Sequence, residues 1–337
     1  SMGIGSQIGL NELLANIKKA SKDTNICGIY LELSIIQTGI ATIEEIRNAL
    51  LDFKKSGKFI ISYADFYEQS TYYLASVADK VYMNPLGVLN FDGLNAEILF
   101  YKKALDKLDI EPEIIRHGKF KSAVEPLIND KMSEENRLQI KTYIGSIWQH
   151  IISQVSLQRG IPAEKINAMA DNLIAGNAYD VYQMGLIDSV LYKDQVLEIL
   201  TNLSKVKNTN KLNFVTHNQY TKAPKHKEAK GYSKNKIAVI YASGNIIEGD
   251  KDENNISSEI ISRTIRKARE DSSIKAIVFR VNSGGGSALA SEIIWREIDL
   301  ARKVKPVIAS MGDVAASGGY YIVTPADKAR GQQSGPG

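Results

Sequence analysis

The sequence predicts an α/β fold made of two copies of one unit, each with parallel strands joined by crossover helices. Sliding the chain by 248 residues aligns 8–82 with 256–330 without a gap, and 18 of the 75 pairs are identical, where composition alone gives roughly one in sixteen. Within each copy, short and nearly continuous apolar runs alternate with segments of helical period, the pattern of buried parallel strands. At 337 residues, 44% hydrophobic and 24% charged, the chain has the content of one large or two ordinary folded domains. That content excludes wholesale disorder, collagen and coiled-coil arrays.

The elements follow in order. Each copy opens with a helical pattern (Leu10–Ala20; Ile256–Ala268), followed by an apolar strand (Ile26–Leu33; Lys275–Val281). A second helix (Ile43–Lys55; Ser291–Lys303), a second strand (Phe59–Tyr63; Val307–Met311) and a short helix (Gln69–Val77; Ser317–Val323) complete the unit. Identities such as Asp65/Asp313, Tyr72/Tyr320, Tyr73/Tyr321 and the tripeptides Ala78-Asp79-Lys80 and Ala326-Asp327-Lys328 fix the register. Between the copies, Ser133 ahead of Glu134 and Glu135 is an N-cap signal for a long helix running to about Arg159, with Ile144, Ile147, Trp148, Ile151 and Val155 on one face. Smaller helices are expected at Pro162–Leu173, Ala178–Met184 and Asp194–Leu203, and no equivalent of this helical insert follows the second copy. The run Ala329–Gln333 lacks the apolar strand character of Val81–Met83, which reads as truncation or as a tail foreign to the fold.

Composition narrows the function classes further. Cys27 is the sole cysteine, so neither an intramolecular disulfide nor a cysteine zinc cluster is available. Apolar runs such as Ile26–Leu31 and Ile237–Tyr241 fall well short of the ~18 residues that cross a bilayer. Ser1 ahead of Met2 has the look of a cleavage scar, so an upstream signal or anchor is compatible with the chain. Net charge is +4, yet Thr201–Lys236 alone carries nine lysines against one glutamate, +8, leaving −4 for the rest. With asparagines and Pro224 interleaved, this stretch reads as a solvated polar linker. Attraction to an anionic membrane face is the second reading, and without an arginine or a binding motif nucleic acid is not an expected partner. The division expected is 1–203 with the helical insert, a basic linker at 204–235, and a second unit at 236–337.

The chemistry is expected where the repeat breaks its own symmetry. After its first strand, copy two has Asn282-Ser283-Gly284-Gly285-Gly286-Ser287 where copy one has Ser34-Ile35-Ile36-Gln37-Thr38-Gly39. Three glycines let main-chain amides approach a ligand, as an oxyanion hole requires, whereas a flexible strand-to-helix turn is the plainer reading. A phosphate loop is disfavoured because no Gly-Lys-Ser/Thr follows. The second break sets Ala315-Ala316-Ser317-Gly318-Gly319-Tyr320 against Tyr67-Glu68-Gln69-Ser70-Thr71-Tyr72. A serine among small residues, just after a strand and at the start of a helix, suits an exposed nucleophile, although a helix N-cap is an equally ordinary role. A serine nucleophile needs a base. His150 falls in the long helix, His217 and His226 in the basic linker, and His117 follows the strand-like Ile114-Ile115-Arg116 near Lys121. Spacing alone does not choose among His117, Lys121 and the other lysines.

Three segments in order, Lys119-Phe120-Lys121-Ser122-Ala123-Val124-Glu125-Pro126, Arg280-Val281-Asn282-Ser283 with its glycines, and Met311-Gly312-Asp313-Val314-Ala315-Ala316-Ser317-Gly318-Gly319-Tyr320, resemble the signal peptide peptidase A family (SppA, protease IV) in its long tandem-domain bacterial form. The resemblance runs from about Ile8 to Lys328. It implies tandem Clp/crotonase-like units and a Ser/Lys dyad without metal or cofactor. Matched residue by residue, Ser317 falls on the nucleophile and Lys121 on the general base, copy one giving the lysine and copy two the serine. Amides near Gly285 and Gly286 would receive the oxyanion, with Ser122 and Gly318 in support. The resemblance further implies cleaved signal peptides and other apolar segments as substrates, a homo-oligomer, and membrane association at the bacterial inner membrane through a segment absent here, with the active site facing the periplasm or cell exterior. One departure is Gly284, which stands where the family usually has proline. The alternatives are a crotonase-type acyl-CoA enzyme, which needs neither Ser317 nor Lys121, and an inactive assembly scaffold of the same fold.

Overall fold

A computed structural model of the chain describes residues 9–33, 35–172, 176–224, 233–250 and 254–331. Ser34, His226 with the adjoining part of the basic stretch, and the tail from Gln332 lie outside the described residues. The first part of the chain runs α1 (Leu10–Lys22), β1 (Gly28–Glu32), α2 (Ile40–Lys54), β2 (Phe59–Tyr67), α3 (Gln69–Ala75), β3 (Lys80–Leu89), α4 (Lys102–Lys107) and α5 (Glu125–Ile128). The helical segment follows as α6 (Glu134–Arg159), α7 (Ala163–Asp171), α8 (Ala178–Gln183), β4 (Ser189–Val190), α9 (Lys193–Leu203) and α10 (His217–Thr221). The second part runs β5 (Lys236–Ser243), β6 (Ile246–Ile247), β7 (Ile256–Ser257), α11 (Ser258–Glu270), β8 (Ile274–Ser283), α12 (Ala288–Arg302), β9 (Val307–Ala315), α13 (Gly318–Tyr321) and β10 (Lys328–Arg330).

Two four-stranded sheets result, ordered β1-β2-β3-β4 and β10-β9-β8-β5. The pairs β2–β3, β3–β4, β5–β8, β8–β9 and β9–β10 are parallel, and the intervening helices supply the crossovers that parallel pairing needs. In the second sheet, Ile277, Phe279 and Val281 of β8 and Val307 and Ala309 of β9 are fully buried with Ile294 and Ile298 of α12. Each of the valine, isoleucine and phenylalanine side chains among these stabilises the fold by about 1.5–3 kcal/mol.

The chain packs into two compact units. One draws its described residues from within 1–29, 36–60 and 200–333, the other from within 30–35 and 61–199. Helices α1 and α2, from the first repeat, are therefore grouped with the second repeat's sheet.

Particular elements depart from the sequence reading. Ser133 caps α6 as expected, accepting from Asn136 N at 3.2 Å, and Gly160 closes that helix with φ 67°. Ala329 and Arg330, from the run expected to lack apolar strand character, belong with Lys328 to a strand: Lys328, Ala329 and Arg330 pair with Ile308, Ala309 and Ser310. Its three residues are exposed, so the backbone ladder holds it and apolar burial does not. Part of the basic stretch, expected as solvated linker, is the helix α10, capped reciprocally by Thr216 and Gln219. It docks on α1: Lys19 Nζ donates to Ala223 O at 3.1 Å, Asn16 Nδ2 to Thr221 Oγ1 at 2.6 Å, and Tyr220 OH to Asp23 at 2.8 Å.

Candidate active site

Ser317 occupies the turn between β9 and α13 with φ 51° and ψ −122°. Side chains avoid this region, and holding a residue there costs about 1–3 kcal/mol, so the surroundings must over-determine it. They do. Strands β8 and β9 pair regularly up to Val281/Met311 and resume at Ser283/Ala315, so β9 bulges just before the turn. Asn282 holds the bulge by accepting Val314 N at 2.9 Å, and Ser283 O accepts Ala316 N at 3.0 Å. Beneath it, Arg280 donates to Ser310 Oγ at 2.9 Å and Met311 O at 3.1 Å, and its other nitrogen pairs with Glu45 of α2. The segment Arg280-Val281-Asn282-Ser283 thus braces the turn that carries Ser317. Its role was invisible as a role in the sequence, though the motif itself was visible.

The glycine loop packs directly against this turn. Gly285 has φ 107°, and a Cβ there would lie 2.9 Å from Ser317 Cβ and 2.8 Å from Gly318 N, so both its backbone conformation and the close approach require glycine. Of the two amides expected to receive an oxyanion, that of Gly285 is already committed, donating to Ser283 Oγ at 3.1 Å. Ser283 Oγ itself donates to Gly244 O at 2.6 Å. Among the described residues, the amides of Gly286 and Gly318 meet no acceptor, and the hydroxyl of Ser317, an exposed residue, meets no partner. An exposed hydroxyl beside open amides can bind and attack a carbonyl.

Lys121 and Ser122 belong to the other compact unit. Lys121 is exposed in the irregular segment ahead of α5 and makes no hydrogen bond or ion pair among the described residues. Ser122 O accepts Glu125 N at 3.0 Å, which makes the turn leading into α5. Four residues past Lys121, Glu125 is 1% exposed, a burial that residue patterns alone do not reveal. Its carboxylate accepts from Ser133 Oγ at 2.5 Å, Ser133 N at 3.2 Å and Asn136 Nδ2 at 3.0 Å, with Arg116 at 3.8 Å. Burial raises its pKa, but those donors and the guanidinium outweigh burial and hold the group below its ordinary 4.5. The lysine-bearing segment is thereby tied to the start of the 26-residue α6. His117 is exposed nearby and His150 lies in α6 against Tyr73, both in the same unit as Lys121, while His217 opens α10. Among the described residues no group of three or more His, Cys, Asp or Glu side chains has the geometry to hold a metal.

A serine on a strained strand-to-helix turn, flanked by open main-chain amides at the end of a parallel sheet, is the arrangement of the serine-nucleophile class of α/β proteins. More narrowly, the chain belongs to peptidase family S49, matching it over residues 52–207 and 299–335. It is 39% identical to Protease 4 of Haemophilus influenzae over 95% of its own length and 54% of that protein. It is 37% identical to Protease 4 of Salmonella typhi, over 94% of this chain and 52% of that one. The chloroplastic serine protease SPPA of Arabidopsis thaliana is 35% identical, over 96% of this chain and 48% of that one. The chain therefore spans about half the length of these curated relatives. Among the described residues no helix is long and apolar enough to cross a membrane.

Proposed function

We propose that this chain is the part of a serine peptidase that carries both members of a Ser/Lys dyad. Ser317 Oγ attacks the peptide carbonyl, the neutral amine of Lys121 takes its proton, and the amides of Gly286 and Gly318 receive the oxyanion. The proton then passes to the leaving amine, and water hydrolyses the acyl-serine. The observation that carries this reading is the strained, exposed Ser317, whose hydroxyl meets no partner among the described residues, beside two open amides. Membership of family S49 and the serine protease named among the relatives support it. A crotonase-type acyl-CoA enzyme is not favoured, because it has no use for a serine held at this conformational cost.

The same reading takes 1–203 and 236–337 as tandem Clp/crotonase-like units joined through 204–235, with cleaved signal peptides and other apolar segments as substrates. It also includes a homo-oligomer at the bacterial inner membrane, with the active site facing outward. The test is fluorophosphonate labelling of the full-length protein followed by peptide mapping. Label on Ser317, lost in Ser317→Ala and strongly reduced in Lys121→Met, is the expected result; label elsewhere, or normal turnover by either variant, rejects the dyad.

A further inference from the structure

Asp313 lies four residues before Ser317, in the stretch of β9 where the ladder with β8 is interrupted between Met311 and Ala315. A strand segment without ladder bonds needs other anchors if it is to aim a side chain. One is Asn282, described above. The other comes from the first repeat. Asp313 Oδ1 accepts Thr42 N at 2.9 Å, and Oδ2 accepts Thr42 Oγ1 at 2.6 Å. Thr42 is the third residue of α2, a helix whose N-cap, Gly39, supplies no side-chain hydrogen bond of its own. The carboxylate of Asp313 thus does the capping from a distant strand, satisfying an orphan amide and facing the positive end of the helix. Gly39 is part of the device, since a Cβ there would overlap the Asp313 carboxylate. One strand over, Arg280 ties the same helix to β8 and β9 through Glu45.

The other copy supplies a control. Asp65, at the position equivalent to Asp313, is spent locally, accepting from Tyr63 OH at 3.0 Å and Asn84 Nδ2 at 3.0 Å. Only the copy that carries the serine uses its aspartate to reach another element's helix.

We propose that Asp313, Thr42 and Gly39 form a positioning latch through which helix α2 of the first repeat holds the Ser317 turn in its attacking conformation. This rests on Ser317 being the nucleophile. The latch touches no reacting atom and acts only through the aim of the turn, where a displacement of about 1 Å can cost about a hundredfold in rate.

The test measures, in the full-length protein, the rate of fluorophosphonate labelling at Ser317, kcat and KM on a peptide substrate, and melting temperature. Asp313→Ala and Gly39→Ala are expected to lower labelling rate and kcat by about ten- to a hundredfold, with little change in KM. Asp313→Asn, which keeps an oxygen for the Thr42 amide, is expected to recover most of the loss. Thr42→Val should be slow and Thr42→Ser close to wild type. If Asp313→Ala and Gly39→Ala fold and label at the wild-type rate, the latch is wrong while the nucleophile stands. Should both fail to fold, the Thr42 pair decides, and equal rates for Val and Ser overturn the proposal. A wild-type protein that takes no label at Ser317 overturns the nucleophile assignment and the latch with it.

Discussion

The two copies of the repeat meet the same structural problem, a strand that must turn into a short helix, and solve it differently. In the first copy Glu68 precedes α3 at φ −76° and ψ 160°, an unstrained cap, and Gln69 at the serine's position turns its Oε1 to accept Gly93 N at 3.0 Å. The second copy puts Ser317 in the strained left-hand region and leaves its hydroxyl without a partner among the described residues. Their surroundings diverge in step. Tyr72 and Tyr73 are fully buried, Tyr72 OH donating to Leu186 O and Tyr73 packing on His150, whereas Tyr320 and Tyr321 are 56% and 41% exposed. One copy has been settled into structure. The other keeps strain and open polar groups, which a fold retains only where they are used.

The largest expected effect breaks this contrast at its centre. Ser317→Ala should lower turnover by at least about 10⁴-fold with melting temperature unchanged, because a solvent-facing hydroxyl without hydrogen bonds contributes nothing to packing. The reciprocal change, Gln69→Ser, should create no second labelled serine, since the first copy's turn is relaxed and lacks the glycine loop.

Next in size is Gly285→Ala. An added methyl meets Ser317 and Gly318, so turnover should fall by about a hundredfold or more, mainly in kcat, as when an oxyanion donor is displaced. Steady-state kinetics showing a pure KM effect would refute the placement of this loop against the transition state.

Glu125 sharpens the comparison on the first copy's side. Removing it in Glu125→Ala strands the Ser133 and Asn136 donors and should cost about 1–3 kcal/mol in denaturant unfolding. Because its folded-state pKa lies below its unfolded value, Glu125 contributes stability that is fully present above pH 4.5 and is lost as pH falls through the folded-state value. Glu125→Gln should therefore flatten the acid limb of a stability profile; an unchanged limb would show that the carboxylate is not held as described. The smallest effect belongs to Gln69→Ala, which loses one hydrogen bond, about 0.5–1.5 kcal/mol, and should keep most activity.

Much of this was legible in residue patterns. The repeat, the parallel α/β class, the Ser133 cap and the candidate Ser317 all follow from local signals: periodicity, a capping residue, and small residues around a serine. Glu125 and Asp313 stand in two of the quoted segments without a role of their own, and Thr42 stands in none. Each is an ordinary polar residue whose significance comes from a partner distant in sequence or in another element, such as Thr42 and Asp313, 271 positions apart. The strand at 328–330 escaped for a related reason, since a ladder to β9 can hold residues with no apolar signature of their own.

Sequence by itself determined what the chain can build: two copies of one pattern of alternating helix and strand, a serine in one and a glutamine at the same position in the other, and a run of three glycines after the first strand of the second copy alone. Tertiary structure alone decided which amide stays open, since Gly285 N is taken by Ser283 Oγ while Gly286 N and Gly318 N are not. It decided equally that a helix of the first repeat caps onto the second repeat's strand. Hydrogen-bond partnership is the physical reason: periodicity records which face of an element is buried, but the acceptor that a particular N–H finds depends on side chains and carbonyls brought together from far along the chain.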